Sequence, residues 1–325
     1  MATFKVSSGL WVFAGTQDRY ATEGYGPQLS PEEAIERASK VEDLEGIEIH
    51  YPTTVNEKNL SSVKQKLDEN NLEVTSINLD LWGSKKWKDG SLTSSEEDTR
   101  KEAVEIGKKA IKTAKELDCE NIGIWPGQDG FDYPFQADYK ELWEREIEGI
   151  KKIAKFDENM NIGIEYKPKE PRNYQLISDV GKALLLVKEI DLKNVGAVLD
   201  FGHALNSGET PGESVYLLSR ANKLFNIHIN DNYRDWDDDM VVGSVNIRET
   251  LEFLYYLDKV NYDGYIGLDQ YPYREDPVEA AELSVKNIQT LTNILEEIDK
   301  EELESAQHEQ DALRAMRNIL SILGG

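Results

Sequence analysis

Short apolar runs alternate with longer amphipathic stretches along almost the whole chain. Each run predicts a strand, and each is followed by a segment whose apolar residues recur with helical spacing. The predicted strands are 5–8, 46–50, 73–79, 121–125, 161–165, 195–200, 224–229 and 265–269, and the predicted helices are 31–40, 57–70, 95–117, 138–157, 178–190, 213–222, 247–259 and 277–297. Ser30, Pro31 and Glu33 give the first helix an N-cap, a proline at its first position and a capping-box glutamate.

Eight strand–helix alternations are typical of an α/β protein whose parallel strands close into a (β/α)8 TIM barrel. An open, doubly wound sheet is the alternative, but no Gly-x-Gly-x-x-Gly motif follows an early strand. We therefore predict one catalytic barrel domain over residues 1–298. Residues 299–325 are predicted to add an extra C-terminal helix, at 300–322, that packs on a neighbouring helix or on a second subunit.

Composition excludes several classes of function. The chain has 37 Lys and Arg against 62 Asp and Glu, a net charge of −25, so we expect neither a nucleic-acid nor a membrane partner. No run approaches the roughly 18 apolar residues of a membrane span. The N-terminus lacks the pattern of a signal peptide, and the lone cysteine, Cys119, cannot form an internal disulfide. Both features predict a cytoplasmic protein.

Polar residues end four consecutive predicted strands: Glu165, Asp200, His228 and Asp269. In a TIM barrel these ends meet at the C-terminal face, where active sites are built. Three carboxylates brought together repel one another, and a divalent cation turns that conflict into a ligand set. Oxygen ligands with a single imidazole suit Mn, Co or Mg, with Zn as an alternative. The competing explanation is that each carboxylate caps a helix or pairs with a basic neighbour.

Three of the four histidines, His50, His203 and His228, lie at or just beyond predicted strand ends. His203 follows the strand-six aspartate by three residues, so both side chains can reach one pocket. Asp237 and Asp239 share one side of an extended segment after strand seven and could ligate a second cation together. An exposed loop or a helix N-cap is the alternative for these two aspartates.

Five segments together resemble the metal-dependent sugar isomerases of the xylose isomerase-like TIM-barrel superfamily, most of all its rhamnose isomerase branch. They are IEYKPKEP (164–171), VLDFGHA (198–204), HINDNYRDWDDDM (228–240), GLDQ (267–270) and WPGQDGFDYPFQ (125–136). The resemblance extends over residues 8–297. The histidine at strand seven favours the rhamnose-type branch over the xylose-type branch.

The resemblance implies two cation sites, with Mn as the expected metal. The first would be formed by Glu165, Asp200, His228 and Asp269, and the second by Asp200, His203, Asp237 and Asp239. The resemblance further implies a small-molecule sugar as ligand and a homotetramer or homodimer.

The resemblance also implies roles for further side chains. Lys167 would hydrogen-bond the sugar O1, where negative charge develops, His50 would assist ring opening, and Asp239 would take part in catalysis. The expected sugar contacts are Trp11, Phe13, Trp125 and Asp129. An ion pair for Lys167 and core positions for the aromatic side chains are the alternatives.

The implied reaction interconverts a free aldose and its 2-ketose by a metal-mediated hydride shift between C1 and C2, with an enediol route as the competitor. A ketose 3-epimerase or a sugar dehydratase of the same fold is the alternative. Epimerase chemistry uses glutamates on both faces of the sugar, whereas strand eight ends in the shorter Asp269. A non-catalytic sugar-binding barrel is the alternative of another class, and it would need neither Lys167 nor a second ligand set.

Overall fold

In the computed structural model, which describes residues 4–323, eight parallel strands close into a barrel. The strands are β1 (Lys5–Gly9), β2 (Leu44–Tyr51), β3 (Glu73–Leu79), β4 (Asn121–Ile124), β5 (Asn161–Glu165), β6 (Val195–Asp200), β7 (Leu224–Ile229) and β8 (Tyr265–Leu268). Each strand pairs with its neighbours in sequence, and β8 closes on β1 with Tyr265 opposite Lys5. The predicted TIM barrel is confirmed.

Helices surround the barrel. They are α1 (Pro31–Ala38), α2 (Leu60–Asn70), α3 (Glu97–Glu116), α4 (Tyr139–Ala154), α5 (Val180–Ile190), α6 (Phe201–Asn206), α7 (Pro211–Arg220), α8 (Ile247–Lys259), α9 (Pro277–Glu297), α10 (Lys300–Glu309) and α11 (Ala312–Leu323). The capping box of α1 forms as predicted, since Glu33 N donates to Ser30 Oγ and Ser30 N donates to the Glu33 carboxylate. Such caps satisfy backbone N–H groups that have no partner within the helix.

Two features at the mouth of the barrel were not predicted. The short helix α6 begins directly after β6, with Asp200 as its N-cap accepting a hydrogen bond from His203 N at 2.7 Å. Two short antiparallel strands, Gly130–Phe131 and Tyr174–Gln175, pair outside the barrel and join the loops that follow β4 and β5. Both elements lie at the C-terminal end of the strands, where they shape the mouth of the barrel.

The C-terminal extension forms two helices instead of the single predicted one. Gln310 has a φ of +56° and ends α10, and the Asp311 carboxylate then accepts backbone N–H groups in the first turn of α11. Leu303 is buried, whereas Leu313 and Met316 are 59% and 45% exposed, so only part of the predicted apolar side is covered.

The predicted domain bounds, 1–298 and 299–325, stay predictions, and residues 1–3 and 324–325 lie outside the described residues. Cys119 is buried, as the sequence suggests for a small apolar side chain, and burial raises the pKa of its thiol to about 12. Within residues 4–323, none of the helices has the length and the apolar character that crossing a membrane requires.

Candidate metal centre

The C-terminal ends of β5 to β8 bring four predicted ligands together. Glu165 ends β5, Asp200 ends β6 and lies beside His228 of β7 in the strand register, and Asp269 directly follows β8. One ligand atom from each of these four side chains lies within 4.8 Å of the others. These are the residues that the sequence predicts for the first cation.

The electrostatics of this four-residue cluster suit a divalent cation. Burial raises the pKa of Asp269 to about 7, and the nearby Glu165 and Asp200 carboxylates oppose its ionisation further. Burial also raises the pKa of Asp200. In Glu165 the effect of burial is outweighed by His228 and His203, and the pKa is lowered. Three buried carboxylates are best accommodated by added positive charge, which a divalent ion supplies.

Two hydrogen bonds from outside the cluster orient its members. Trp11 Nε1 donates to Asp269 Oδ1 at 2.8 Å, and His228 Nε2 lies 2.9 Å from Glu48 Oε2. Sequence reasoning missed Glu48. The available signal was a charged residue inside the apolar run GIEIH, two positions before His50 and therefore on the same face of β2.

A second polar group borders the four-residue cluster. His203 Nε2 lies 3.0 Å from Asp237 Oδ2, and Lys167 Nζ lies 2.7 Å from the same oxygen. Lys167 Nζ is also 2.9 Å from Glu170 Oε2. His203 Nδ1 lies 3.3 Å from Glu165 Oε1, so this histidine touches both groups. Asp237 is thus the common partner of a lysine and a histidine.

Carboxylates decide the charge state of this second group. Burial alone would lower the pKa of Lys167, but Asp237 above all outweighs it, and the pKa is raised. Burial would likewise lower the pKa of His203, which Asp200 and Asp237 instead raise to about 9. Burial, reinforced by Asp237, raises the pKa of Asp239 well above its usual range. Lys167 therefore stays an ammonium ion at neutral pH.

The loop between Asp231 and Met240 places Asp237 and Asp239 at the barrel mouth, and several hydrogen bonds fix its conformation. At its base, the backbone of Asp231 exchanges hydrogen bonds of 3.1 and 2.9 Å with that of Met240. Next to this base, Tyr271 N donates to the Asp239 carbonyl at 3.1 Å. The Asp231 carboxylate adds bonds to two N–H groups of the turn that precedes α8. These contacts hold both aspartates in the wall of a cavity at the mouth of the barrel.

The two polar groups form part of the wall of a cavity of about 290 Å³ at the mouth of the barrel. Aromatic side chains form another part. Trp11 stacks on His50 with ring centroids 4.4 Å apart, His50 meets Trp82 edge-on at 5.9 Å, and Trp82 meets Trp125 at 5.2 Å. Lys167 Nζ lies 5.1 Å from the Trp125 ring centroid. The cavity therefore combines an aromatic surface with the polar groups.

The structure corrects two predicted sugar contacts. Phe13 is fully buried in the hydrophobic core, in the single turn of helix that follows β1, and it does not line the cavity. Asp129 is fully buried as well and does not line the cavity either. Its carboxylate accepts the backbone N–H groups of Ser91 and Thr93, at 2.8 and 3.0 Å, and their hydroxyl groups. Asp129 is therefore committed to holding that loop.

Several lining residues were not predicted. The polar and tyrosine side chains among them are Asn78, Gln128, Glu170, Tyr271 and Tyr273. Asn78 and the two tyrosines follow the pattern of polar or aromatic residues at the ends of barrel strands, here β3 and β8. That pattern could have identified them.

The fold and the four-residue cluster define a class of protein: a TIM barrel whose mouth holds a carboxylate-rich centre suited to a divalent cation. The family model of the xylose isomerase-like TIM barrel matches residues 35–294. This chain belongs to that family.

Individual relatives agree with this assignment. The xylose isomerase of Thermus thermophilus is 25% identical over 261 residues, which cover 78% of this chain and 64% of that protein. A D-tagatose 3-epimerase-like protein superposes with a TM-score of 0.70 at 22% identity, covering 90% of this chain and 99% of its own. An L-ribulose 3-epimerase gives a TM-score of 0.70 at 14% identity, covering 90% and 97%. At such identities the structural likeness establishes the fold.

These relatives are a sugar isomerase, a 3-epimerase-like protein and a ketose 3-epimerase. The predicted place nearest to the rhamnose isomerases is not supported, because the two similar structures are a ketose 3-epimerase and a 3-epimerase-like protein. The finer choice between aldose–ketose isomerisation and epimerisation therefore depends on the site itself.

Proposed function

We propose that this protein is a divalent-metal-dependent isomerase that interconverts a free aldose and its 2-ketose. The observation that carries the proposal is the buried Lys167 ammonium, held by Asp237 next to the four-residue cluster. An ammonium in this place can donate a hydrogen bond to a sugar oxygen on which negative charge develops. A barrel that only binds sugar would not need it.

Two sets of side chains would hold cations. The first is Glu165, Asp200, His228 and Asp269, and the second is Asp200, His203, Asp237 and Asp239. We propose Mn²⁺ as the cation, because it prefers oxygen ligands with few imidazoles. Zn²⁺ sites are typically richer in thiolate or histidine ligands. When bound, such a cation supplies Lewis-acid polarisation of adjacent sugar oxygens.

The chain's own residues would orient the sugar and move protons. Lys167 would donate to the sugar O1, with Asp237 keeping the ammonium in place. Burial lowers the pKa of His50, so its imidazole is neutral at neutral pH and can exchange a proton with the ring oxygen. The Asp239 carboxylate would relay a proton between O1 and O2. Trp125 would cover the apolar C–H face of the sugar.

The charge of the cavity supports a neutral, unphosphorylated sugar. In the described part of the chain, Lys167 is the one Lys or Arg side chain that lines the cavity, and both of its close partners are carboxylates. Five carboxylates line the same space: Glu165, Glu170, Asp237, Asp239 and Asp269. A phosphate group would find no free cationic side chain there.

For the hydrogen transfer we propose a direct shift between C2 and C1. An enediol route needs a free base, whereas Asp269 accepts from Trp11 and Asp237 is engaged by Lys167. Turnover in deuterated water tests this step. Extensive deuterium incorporation at C1 or C2 would count against the direct shift.

Ketose 3-epimerisation is the second candidate, and the structural likeness to ketose 3-epimerases favours it. That chemistry needs a proton acceptor on each face of the sugar. On the β8 side the acceptor would be Asp269, which is one methylene shorter than glutamate and already accepts from Trp11 Nε1. We rank epimerisation second for this reason.

One experiment separates the candidates. The protein is stripped with a chelator, reloaded with Mn²⁺, Co²⁺ or Mg²⁺, and incubated with aldoses and ketoses that include L-rhamnose, D-xylose, L-lyxose, D-allose, D-fructose and D-psicose. Metal-dependent aldose–ketose conversion is the expected result. Conversion between ketoses without any aldose would replace isomerisation by epimerisation. The homodimer or homotetramer and the cytoplasmic location stay predictions from the sequence.

A further inference from the structure

A fully buried carboxylate lies inside the barrel next to the candidate metal centre. It belongs to Glu48 of β2, and side chains of two other strands surround it. Asn78 Nδ2 donates to Glu48 Oε2 at 2.8 Å, and Asn226 Nδ2 donates to Glu48 Oε1 at 2.9 Å. His228 Nε2 lies 2.9 Å from Glu48 Oε2. The two amide donors and the imidazole make Glu48 the acceptor of all three contacts.

The barrel interior is shaped around this carboxylate. A Cβ atom at Gly267 of β8 would lie 2.8 Å from Glu48 Oε1 and 3.2 Å from His228 Cδ2. Burying a carboxylate is costly even when it is fully hydrogen-bonded, and apolar side chains suffice to fill a TIM barrel. A charged residue here therefore indicates a role other than packing.

The contact with Glu48 fixes which nitrogen of His228 faces the other ligands. A carboxylate at 2.9 Å accepts a hydrogen bond from Nε2–H, so a neutral imidazole carries its lone pair on Nδ1. His228 Nδ1 lies 3.4 Å from Glu165 Oε1 and 3.5 Å from Asp269 Oδ2. It is thus the nitrogen directed at the ligand set.

We infer that Glu48 is a positioning residue of the metal centre, which holds His228 as the Nε2–H tautomer with Nδ1 directed at the cation. This inference rests on the proposed metal-dependent function. Glu48 does not line the cavity, so it acts through His228 and not on the sugar. Asn78 and Asn226 hold the Glu48 carboxylate in place from both of its oxygens.

The test measures metal affinity directly, on the full chain. Mn²⁺ and Co²⁺ are titrated calorimetrically into the chelator-stripped wild type, Glu48→Gln and Glu48→Ala, and the absorption spectrum of bound Co²⁺ is recorded. The amide of Glu48→Gln has nearly the same shape as the carboxylate, but it presents an N–H group to side chains that are themselves donors. Both variants are expected to bind either ion about 10- to 100-fold more weakly, with an altered Co²⁺ spectrum.

Glu146→Gln is the matched control. Glu146 is another fully buried glutamate, on α4 and away from the cavity lining, so its substitution should leave both affinities and the spectrum unchanged. Affinities of both Glu48 variants within about threefold of wild type would overturn the inference. An equal loss in Glu146→Gln would also overturn it, because the loss would then follow from any buried glutamate substitution.

A measurement on the wild type covers the case in which the variants do not fold. Long-range proton–nitrogen NMR of the Zn²⁺-loaded protein reports the tautomer of His228, and an Nδ1–H form would overturn the inference. The sugar assay stays separate. A wild type that binds Mn²⁺ and converts no sugar refutes the proposed function, while the metal affinities still decide the role of Glu48. A wild type that binds neither ion refutes both.

Discussion

Replacing Lys167 with methionine is the most direct perturbation of the proposed active site. Methionine is nearly isosteric and uncharged, so Lys167→Met removes the ammonium and keeps most of the packing of a residue that is 7% exposed. The ammonium lies 2.7 Å from Asp237 and 2.9 Å from Glu170, so the variant leaves Asp237 buried with His203 as its remaining close cationic partner.

Two magnitudes follow from that geometry. Loss of one preorganised donor to a developing negative charge lowers kcat by about 100- to 1,000-fold, which is roughly 3–4 kcal/mol of transition-state stabilisation. Removing one partner of a buried ion pair lowers the free energy of unfolding by about 3–5 kcal/mol. For 325 residues this corresponds to a decrease of Tm by about 4–7 °C in the metal-free protein. The lower end is expected, because Asp237 can take up a proton instead.

The assay is metal-restored turnover of the best sugar found, with thermal unfolding of the metal-free protein beside it. Lys169→Met is the matched control: its ammonium donates to the Asp235 carbonyl and does not line the cavity, so turnover should stay at the wild-type level. Lys167→Met with bound metal and turnover within about threefold of wild type would remove Lys167 from the catalytic set and refute the reasoning.

Three further outcomes are expected. Asp269 and His203 have folded-state pKa values of about 7 and about 9, above the ordinary 3.8 and 6.5. Both groups therefore bind protons more tightly in the folded than in the unfolded chain. Their contribution to the free energy of unfolding of the metal-free protein is lost as pH rises from about 4 to 9. At a fixed Mn²⁺ concentration, stabilisation by Mn²⁺ should therefore grow with pH over that range. A concentration of about 100 times the Kd should raise Tm by about 4 °C. A Tm shift at fixed Mn²⁺ concentration that is independent of pH, measured by scanning fluorimetry, would contradict this. Trp11→Phe keeps an aromatic side chain but replaces the indole by a smaller phenyl ring without the N–H donor to Asp269. Calorimetry should therefore show about 10-fold weaker Mn²⁺ binding, and unchanged affinity would show that this hydrogen bond is dispensable. Gly202→Ala would place a Cβ 2.0 Å from Asn230 Oδ1, so denaturant unfolding should show a loss of about 1–3 kcal/mol, and wild-type stability would mean that Asn230 moves aside freely.

The sequence by itself determined the barrel and the first ligand set. Strand and helix periodicities are local, and eight alternations leave few ways to bury both faces of a parallel sheet. Once the strands are parallel, residues at their C-terminal ends must meet, whatever their separation along the chain. Glu165, Asp200, His228 and Asp269 could therefore be identified without coordinates, and the structure brings their ligand atoms within 4.8 Å.

Only the tertiary structure decided which neighbouring residues take part. Glu48 and His228 are 180 positions apart, and their contact depends on how β2 and β7 face each other across the closed barrel. Phe13 and Asp129 are plausible sugar contacts in the sequence. In the structure, Phe13 packs in the hydrophobic core, and the Asp129 carboxylate accepts hydrogen bonds from a neighbouring loop. The single helix expected at 300–322 breaks at Gln310, because a left-handed residue followed by an aspartate cap starts a new helix. Loop closure, register and side-chain burial are set by contacts distant in sequence, so no local pattern specifies them.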